Sequence, residues 1–174
     1  QFAYRRAPTV SGVVPTRGSE VGGTVVTISG SEFAPTDELV CRFGETLSES
    51  TVWVSSNTVS CKAPEHTPGT VPLRISNDGQ WFTPENISYT FDPHFSMSST
   101  VPTHGSLRGG TDVRVLGNGF LDTGSARCRF GGVVVLATFI SSTEMRCRSP
   151  AGPVGTVGVS ISFNAVDYSV DGDS

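Results

Sequence analysis

Four cysteines are the residues of this chain whose type and spacing most clearly indicate chemistry. They fall into two pairs, Cys41 with Cys61 and Cys128 with Cys147, separated by 20 and 19 residues. Neither pair forms a Cys-x-x-Cys knuckle and no histidine stands at zinc-ligand spacing, so the pattern favours disulfides over a metal site. We therefore expect one disulfide in each half of the chain, an oxidising compartment, and neither metal nor cofactor.

Enzymatic chemistry has little support in the sequence. His66, His94 and His104 are scattered, and none has a serine or carboxylate partner that recurs at a fixed spacing. A catalytic triad can assemble from distant residues, but nothing here favours one. We expect no enzyme and no catalytic residues.

Nucleic acid and membrane are poor partners for this composition. The formal net charge is −4, and residues 7–93 alone carry four basic and ten acidic side chains. Such a surface does not attract a phosphate backbone. The longest apolar run, residues 133–137, is far shorter than the roughly 20 residues of a membrane-spanning helix. We expect no nucleic-acid binding and no direct membrane insertion.

Three further residues, Asn86, Trp81 and Phe82, are candidate site residues. Asn86 begins the sequon Asn-Ile-Ser, so it either carries a glycan or is an unmodified strand residue. Trp81 and Phe82 follow Asn-Asp-Gly at residues 77–79, a sequence typical of a hairpin turn. These two rings either project and stack on a sugar or a partner, or pack beneath the loop. Trp53 is interpreted as a core aromatic residue, because its counterpart later in the chain is Phe139.

The elements that position these residues follow from a repeat of 87 residues. The segment from Pro15 to Cys41 recurs at this offset, and after a one-residue deletion the offset becomes 86 up to Ile75. A repeat of this length corresponds to a whole small domain. Glycine (20 residues) and proline (11 residues) are abundant and no helical periodicity is visible, which favours short strands joined by turns.

Comparing the two copies identifies the residues that face the core. In one strand Val26 and Ile28 correspond to Val113 and Val115, whereas the alternating positions change between apolar and polar residues. The same comparison predicts that another strand in each copy points inward at Val71, Leu73 and Ile75 and at Val157, Val159 and Ile161. About seven short strands per copy predict a sandwich of two antiparallel sheets.

These motifs carry a family resemblance. PTRGSEVGGTVVTISGSEF, CRFG, VSSNTVSCKAP and GTVPLRIS occur in this order and recur in modified form in the second copy. Each copy thereby resembles the IPT/TIG domain, the immunoglobulin-like module of plexins and related receptors. The resemblance implies an all-β chain of two tandem immunoglobulin-like, early-set β-sandwiches with a disulfide inside each domain. It transfers no catalytic residue.

The expected domains are residues 7–93 and 94–174. Residues 1–6 resemble the last strand of a preceding repeat, because Phe2 and Tyr4 stand 87 residues before Tyr89 and Phe91. The second copy stops where its own matching strand is expected to begin. One hypothesis is that the chain is an excerpt of a longer array. The alternative is that the segment containing Phe2 and Tyr4 supplies the missing strand to another chain.

The sequence thus predicts an extracellular structural or adhesion segment, with rigid modules as spacers and neighbouring repeats, identical chains, other surface proteins or glycans as partners. The short linker between Pro93 and Pro102 is expected to restrict movement between modules. One alternative is a carbohydrate-binding accessory module of a secreted protein. A Rel-like DNA-binding domain is a further alternative, against which the acidic first repeat and the expected disulfides argue.

Overall fold

The computed structural model describes residues 6–84 and 87–169. The chain divides into two compact units, Gln1–Pro93 and His94–Ser174. The regular structure of the described residues is entirely β, so the predicted fold class is confirmed. Phe2, Tyr4 and Asn86 lie outside the described residues, and the predictions made for them remain predictions.

The first unit is a sandwich of two sheets. One sheet has the order β1-β3-β7-β6 and the other β2-β9-β8-β4-β5. All neighbours are antiparallel except β2 and β9, which run parallel. The strands are β1 (Thr9–Val14), β2 (Arg17–Ser19), β3 (Val25–Ser31), β4 (Val40–Phe43), β5 (Thr46–Leu47), β6 (Ser50–Ser55), β7 (Thr58–Lys62), β8 (Gly69–Ser76) and β9 (Ser88–Asp92).

The described part of the second unit, residues 94–169, repeats this plan with fewer strands. Its order is β10-β11-β14-β13-β12-β15, in which β13 pairs with β12 along its first half and with β14 along its second half. The strands are β10 (Ser96–Val101), β11 (Asp112–Asn118), β12 (Arg127–Phe130), β13 (Val133–Ser141), β14 (Glu144–Arg148) and β15 (Val159–Ser162).

The strands form because apolar side chains alternate with polar ones and two facing sheets bury the apolar set. Val26 and Ile28 are fully buried, as is Val115, and Val113 is nearly so. The inward positions predicted for β3 and β11 are therefore confirmed. Each unit has its own core cluster, and each cluster contains both cysteines of its unit.

The one-residue difference between the copies explains why β13 is continuous. In the first unit Ser48 and Glu49 separate β5 from β6. Their amides donate hydrogen bonds to the carbonyls of Cys41 and Lys62, respectively. The second copy is one residue shorter at this point, and the same stretch forms a single nine-residue strand. The deletion therefore changes how the two sheets are joined without moving the core cysteines.

Matched glycines at the start of β3 and β11 are required by the backbone. Gly22 and Gly109 have φ angles of 76° and 73°, a region that side chains disfavour. A Cβ on Gly22 would lie 2.6 Å from the backbone of Pro64, and one on Gly109 would lie 2.5 Å from the amide nitrogen of Ala151. Both units therefore bring this turn against the loop that follows their second cysteine.

Two inward assignments are wrong. Val157 is 53% exposed and lies outside β15, which begins only at Val159. In the first unit the matching Val71 pairs with Tyr89 of β9, whereas no described strand of the second unit covers Val157. Trp53 is also not a core residue, because it is 39% exposed and its indole Nε1 donates to the Phe33 carbonyl at 3.1 Å.

Candidate binding groove in the second unit

An aromatic cluster lies at one end of the core of the first unit. Tyr89 and Phe91 of β9 point inward beside Phe43 of β4, with ring centroids 5.0 to 5.9 Å apart in edge-to-face arrangements. All three side chains are buried. His66 stacks on the outer side of Phe91 at 4.7 Å. Because residues of a strand alternate between its faces, β9 supplies both rings from positions two residues apart.

An ion pair fixes β9 against β2. The Arg17 guanidinium donates through Nε and Nη2 to both carboxylate oxygens of Asp92, at 2.8 and 2.6 Å. This hydrogen-bonded contact raises the pKa of Arg17, and burial opposes that shift. The parallel ladder is short, since it joins only Arg17–Ser19 to three residues of β9. The paired charges therefore support an element that has few backbone hydrogen bonds.

The second unit has a groove of about 630 Å³ beside the edge of β15. Its lining includes Gly105, Pro150, Val157 and Val159. Most of the residues that line the groove lie in loops, and residues 156–158 have no described pairing strand. The carbonyl of Gly158 nevertheless accepts from the Gly131 amide at 2.8 Å, as the carbonyl of Pro72 accepts from Gly44 in the first unit.

The groove coincides with the position that β9 occupies in the first unit. A Cβ placed on Gly18 would collide with the Tyr89 hydroxyl and with Thr24, whereas one on Gly105 would meet only Thr111. Three residues of the first unit are buried, whereas their counterparts in the second unit are partly or wholly exposed. The buried residues are Pro15, Gly18 and Pro64, and their counterparts are Pro102, Gly105 and Pro150. The second unit thus retains the lining of a strand-binding position.

Each disulfide joins the two layers of its sandwich through the core. Cys41 of β4 is bonded to Cys61 of β7, and Cys128 of β12 is bonded to Cys147 of β14, with a Cα–Cα distance of 6.3 Å in each case. In the first unit these strands belong to different sheets. Each bond therefore holds the two layers together through the core.

The predicted ligand contacts Trp81 and Phe82 are in different environments. Trp81 is 80% exposed, whereas Phe82 lies under the Arg42 guanidinium, 4.1 Å from its ring centroid. The Asp78 carboxylate accepts hydrogen bonds from the amides of Trp81 and Gln80, which lower its pKa. Because β8 ends at Ser76 and β9 begins only at Ser88, the Asn-Asp-Gly sequence does not close a tight hairpin.

The cation–π contact recurs in the second unit. Arg129 lies 4.3 Å from the ring centroid of Tyr168, as Arg42 does over Phe82. This pair was not predicted, although the matched arginines of the two CRFG motifs were a usable signal. It also missed the pairing of Arg17 with Asp92, because the two residues lie 75 positions apart.

His66 lies beside the aromatic cluster of the first unit. The ring of His66 contacts Phe91, and its Nδ1 lies 2.8 Å from the Thr67 carbonyl. No three His, Cys, Asp or Glu residues of the described part lie together in a way that holds a metal ion. The same part contains no helix long and apolar enough to cross a membrane.

A charged patch covers the outer face of the second unit. Arg114 of β11 donates to both carboxylate oxygens of Glu144 at 3.0 and 2.8 Å, and Arg146 donates to Glu144 at 3.1 Å. These contacts, led by the bond from Arg114, lower the pKa of Glu144 to about 2. The corresponding face of the first unit carries the hydroxyl residues Thr27 and Ser60.

Comparison with known proteins identifies relatives that are much longer than this chain. Fibrocystin-L of Mus musculus is 30% identical over 169 residues, which cover 96% of the chain and 4% of that protein. Plexin-A3 of Mus musculus is 31% identical over 157 residues, which cover 82% of the chain and 8% of the plexin. The chain therefore spans a small part of the relatives that it matches.

The structural comparison agrees on the fold. The solved extracellular region of plexin A4 superposes with a TM-score of 0.53 at 17% sequence identity, covering 88% of this chain and 14% of that one. The IPT/TIG domain family matches residues 8–91 and 96–173, which together are most of the chain. The chain therefore belongs to the IPT/TIG domain family and contains two of its domains in tandem.

Proposed function

We propose that the chain is an extracellular, non-enzymatic segment of a repeat array that acts as a rigid spacer and protein-interaction module. The observation that carries this proposal is the disulfide that joins the two layers of each sandwich. Disulfides persist in oxidising compartments, outside the cytosol. The extracellular region of plexin A4, which has the same fold, supports the location.

A rigid spacer requires modules that keep their shape. Each disulfide joins strands at the centre of a unit, and closing a loop of about 20 residues stabilises a domain by roughly 3 kcal/mol. Modules of under a hundred residues bury comparatively little surface, so a crosslink of this size is a large part of their stability. The disulfides therefore suit domains that carry load between other parts of a protein.

Secretion with alkylation mass spectrometry tests the location. The chain is produced with a secretion signal, and in parallel in a reducing cytosol. We expect the secreted chain to have no alkylatable thiols and to unfold at much higher denaturant than the cytosolic chain. A reduced chain that is as stable as the oxidised one contradicts the proposal, since the disulfides then have no stabilising role.

Single-molecule pulling tests the spacer. Under force each oxidised unit is expected to unfold in one step, with a length gain shortened by the residues held between its cysteines. Addition of a reductant restores the missing length and lowers the unfolding force. A unit that extends gradually at low force, with or without reductant, contradicts a role as rigid spacer.

Carbohydrate binding is a second candidate function, because Trp81 is 80% exposed on a loop that Asp78 orders. Exposed tryptophan rings offer a flat apolar face on which sugars stack. Glycan-array binding that is lost in Trp81→Ala supports this candidate. Val21→Ala is the matched control, since Val21 is also highly exposed in the first unit. Equal loss in both variants, or no binding by the wild type, rejects it.

A further inference from the structure

Strand β13 presents an unprotected sheet edge on one side of the second unit. Its nine residues, VVVLATFIS, include no charged residue, no proline and no glycine. Residues 133–136 pair with β12 on one side, and no strand of the described residues borders them on the other side. Val134 and Leu136 are 49% and 70% exposed. An uncharged, apolar edge of this kind pairs readily with another strand.

The first unit protects the corresponding edge. There the chain is divided into β5 and β6, and the carboxylates of Glu45 and Glu49 flank β5 with side chains that are 86% and 42% exposed. Charged side chains and short edge strands are devices that prevent edge-to-edge association. In the second copy the CRFG motif is followed by Gly132 where the first has Glu45, and β13 is continuous. The second unit therefore lacks both devices at this edge.

The edge of β13 is separate from the groove. Strand β12 lies between β13 and β15, and neither Val134 nor Leu136 lines the groove. In the first unit β5 and β6 are likewise the last strands of their sheets, although β9 is in place beside β8. A further strand beside β15 would therefore leave the edge of β13 uncovered.

The backbone at this edge offers hydrogen-bonding groups at alternate residues. The two-residue turn 131–132 joins β12 to β13, so the residues that flank the turn form a hydrogen-bonded pair. Along an antiparallel ladder such pairs alternate with pairs that do not bond each other. Val133 and Val135 therefore bond to β12. Val134 and Leu136 direct their N–H and C=O groups toward the open edge.

A twofold axis at Val135 matches these groups between two copies. Val134 of each copy then lies opposite Leu136 of the other, and each such pair exchanges both of its main-chain hydrogen bonds. The same residues form two aliphatic cross-strand contacts on the outer face. Arg127 and Arg129 of β12 lie beside them. The β12 strands of the two copies are three strand spacings apart, about 14 Å, so their arginines are screened from each other.

Charge and area set the strength of this contact. Residues 94–174 carry six basic and six acidic side chains, so two second units approach without net repulsion. A ladder over residues 133–137 is about 17 Å long and buries less than the roughly 1,600 Å² of a stable interface. We therefore expect a weak dimer with a dissociation constant of about 0.1 to 1 mM.

We propose that two copies of this chain associate through β13, which pairs antiparallel with the β13 of the other copy at residues 133–137. The β15-β12-β13 layer then continues from one copy into the next. The partner is a second copy because the strand is self-complementary: it is uncharged, and its outward groups match about one twofold axis. This inference rests on the proposed role as a protein-interaction module, whereas the spacer role does not depend on it.

Sedimentation equilibrium and NMR of the full chain over a range of concentrations test the dimer. We expect the mean mass to rise from 18.3 kDa toward twice that value. Amide exchange at Val134 and Leu136 should slow by about threefold when most molecules are dimers, because dimerisation lowers the fraction of exposed monomer by that factor. Amide exchange at Val133 and Val135 should not change, since these residues already bond to β12 in the monomer.

A charge at the edge is expected to prevent association. Val134→Lys should weaken the dimer at least about tenfold, as edge lysines do in sheets that stay apart. Leu47→Lys is the matched control, because Leu47 is the corresponding residue of the first unit and is 53% exposed. This control should associate like the wild type. Far-UV circular dichroism and the absence of free thiols verify that each variant is folded.

Mixing two charged variants tests the register. Leu136→Glu alone should also be monomeric. In a mixture of Val134→Lys with Leu136→Glu the introduced lysine lies opposite the introduced glutamate, so the mixture is expected to form a one-to-one heterodimer that neither variant forms alone.

The opposite results overturn the proposal. A wild type that stays at 18.3 kDa at about 1 mM shows that β13 does not pair with itself. Equal weakening by Leu47→Lys and Val134→Lys places the contact outside the second unit. Association without slower exchange at Val134 and Leu136, or a mixture without heterodimer, shows that this edge is not the contact. The force and reductant dependence of unfolding in a single chain, which tests the spacer, is unaffected by any of these results.

Discussion

The two units share a fold but differ at one end of the sandwich. In the first unit β9 places Tyr89 and Phe91 into the core end and is held there by the ion pair of Arg17 with Asp92. In the second unit the same position is a groove, yet Cys128, Met145 and Ile161 remain fully or almost fully buried. Within the described residues, the disulfide-centred core of the second unit therefore stays buried without a strand at this position.

At the opposite end of the sandwich it is the second unit that has an aromatic cluster and the first unit that does not have an aromatic residue at the matched position. Phe163 of the second unit packs on Phe95 and Phe120, with ring centroids 4.5 and 6.2 Å away. Asn77 takes this position in the first unit, where its amide bonds the backbone of Ala34 and Glu32. The two units thus have their aromatic clusters at different ends of the matched strands β8 and β15. In the second unit the packing of Phe163 on Phe95 and Phe120 therefore buries apolar surface at the end of the sandwich opposite the groove.

Removal of Tyr89 is the largest expected perturbation of this comparison. Tyr89→Ala deletes a fully buried ring that contacts Phe43 and Phe91, and such truncations cost about 4 kcal/mol. Both tryptophans, Trp53 and Trp81, lie in the first unit, so their fluorescence in a denaturant titration reports that unit alone. We expect the first unit to be destabilised while the second is unchanged.

The control for Tyr89→Ala is Thr90→Ala, which removes a partly exposed side chain from the same strand. Hydrogen exchange in β11 and β14 monitors the second unit. Equal destabilisation of both units by Tyr89→Ala, or a loss no larger than that of Thr90→Ala, contradicts the conclusion that β9 stabilises the first unit only.

The disulfides are expected to contribute equally to the two units. Their loops of 20 and 19 residues are nearly the same length, and in the chain-entropy account each bond therefore contributes about 3 kcal/mol. Cys41→Ala with Cys61→Ala should destabilise the first unit by the same amount as Cys128→Ala with Cys147→Ala destabilises the second. Hydrogen exchange in each unit measures the loss of stability that each double variant causes. A clearly larger loss in the second unit shows that the unfilled groove makes it more dependent on its crosslink.

Glycine substitution compares the two strand positions directly. In Gly18→Ala the added Cβ would collide with Thr24 and the Tyr89 hydroxyl, whereas in Gly105→Ala it would meet only the Thr111 side chain, 2.8 Å from its rotatable hydroxyl. We expect Gly18→Ala to destabilise the first unit by about 2 kcal/mol, as overpacking does, and Gly105→Ala to cost the second unit less than about 1 kcal/mol. Thermal unfolding of the two variants measures the difference, and equal losses contradict it.

Much of the fold could be predicted because the sequence contains its own comparison. Positions that stay apolar in both copies, such as Val26 and Val113, are in the core, and the matched cysteine spacing predicted both crosslinks. The same reasoning failed at Val157, because an apolar residue is buried only if a neighbouring strand covers it. Matching residue types do not reveal that the covering strand is absent from the described part of the second unit.

The candidate groove was only partly predictable. The sequence showed that residues 94–174 contain no counterpart of Tyr89 and Phe91, but not that Gly105 and Pro150 line a groove at this position. Contacts across long sequence distances, including Arg17 with Asp92, depend on strand order, which composition and periodicity do not determine. Trp53 was misassigned because its counterpart Phe139 suggested full burial, whereas its indole nitrogen reaches a backbone carbonyl near the surface.

The smallest expected effect concerns the outer faces, where the second unit has ion pairs and the first has hydroxyl groups. Arg114 and Arg146 lower the pKa of Glu144 from an ordinary 4.5 to about 2. A carboxylate with a lowered folded-state pKa stabilises the fold above its ordinary pKa, and this contribution is lost as the pH falls from about 4.5 through about 2. We therefore expect acid to weaken the second unit through this group, with no equivalent at Thr27 and Ser60 of the first.

A carboxyl NMR titration of Glu144 measures this effect without requiring the protein to unfold. Arg114 makes the leading contact, so Arg114→Gln should return the pKa of Glu144 most of the way to its ordinary value, and Arg146→Gln should return it less. Arg148→Gln is the control, because the Arg148 side chain bonds the Gly110 carbonyl and not Glu144. Added salt should reduce the difference in the pKa of Glu144 between the variants, since exposed ion pairs are screened. An unchanged pKa in Arg114→Gln would show that another group holds Glu144 ionised, and the contrast between the two outer faces would then not arise from this ion pair.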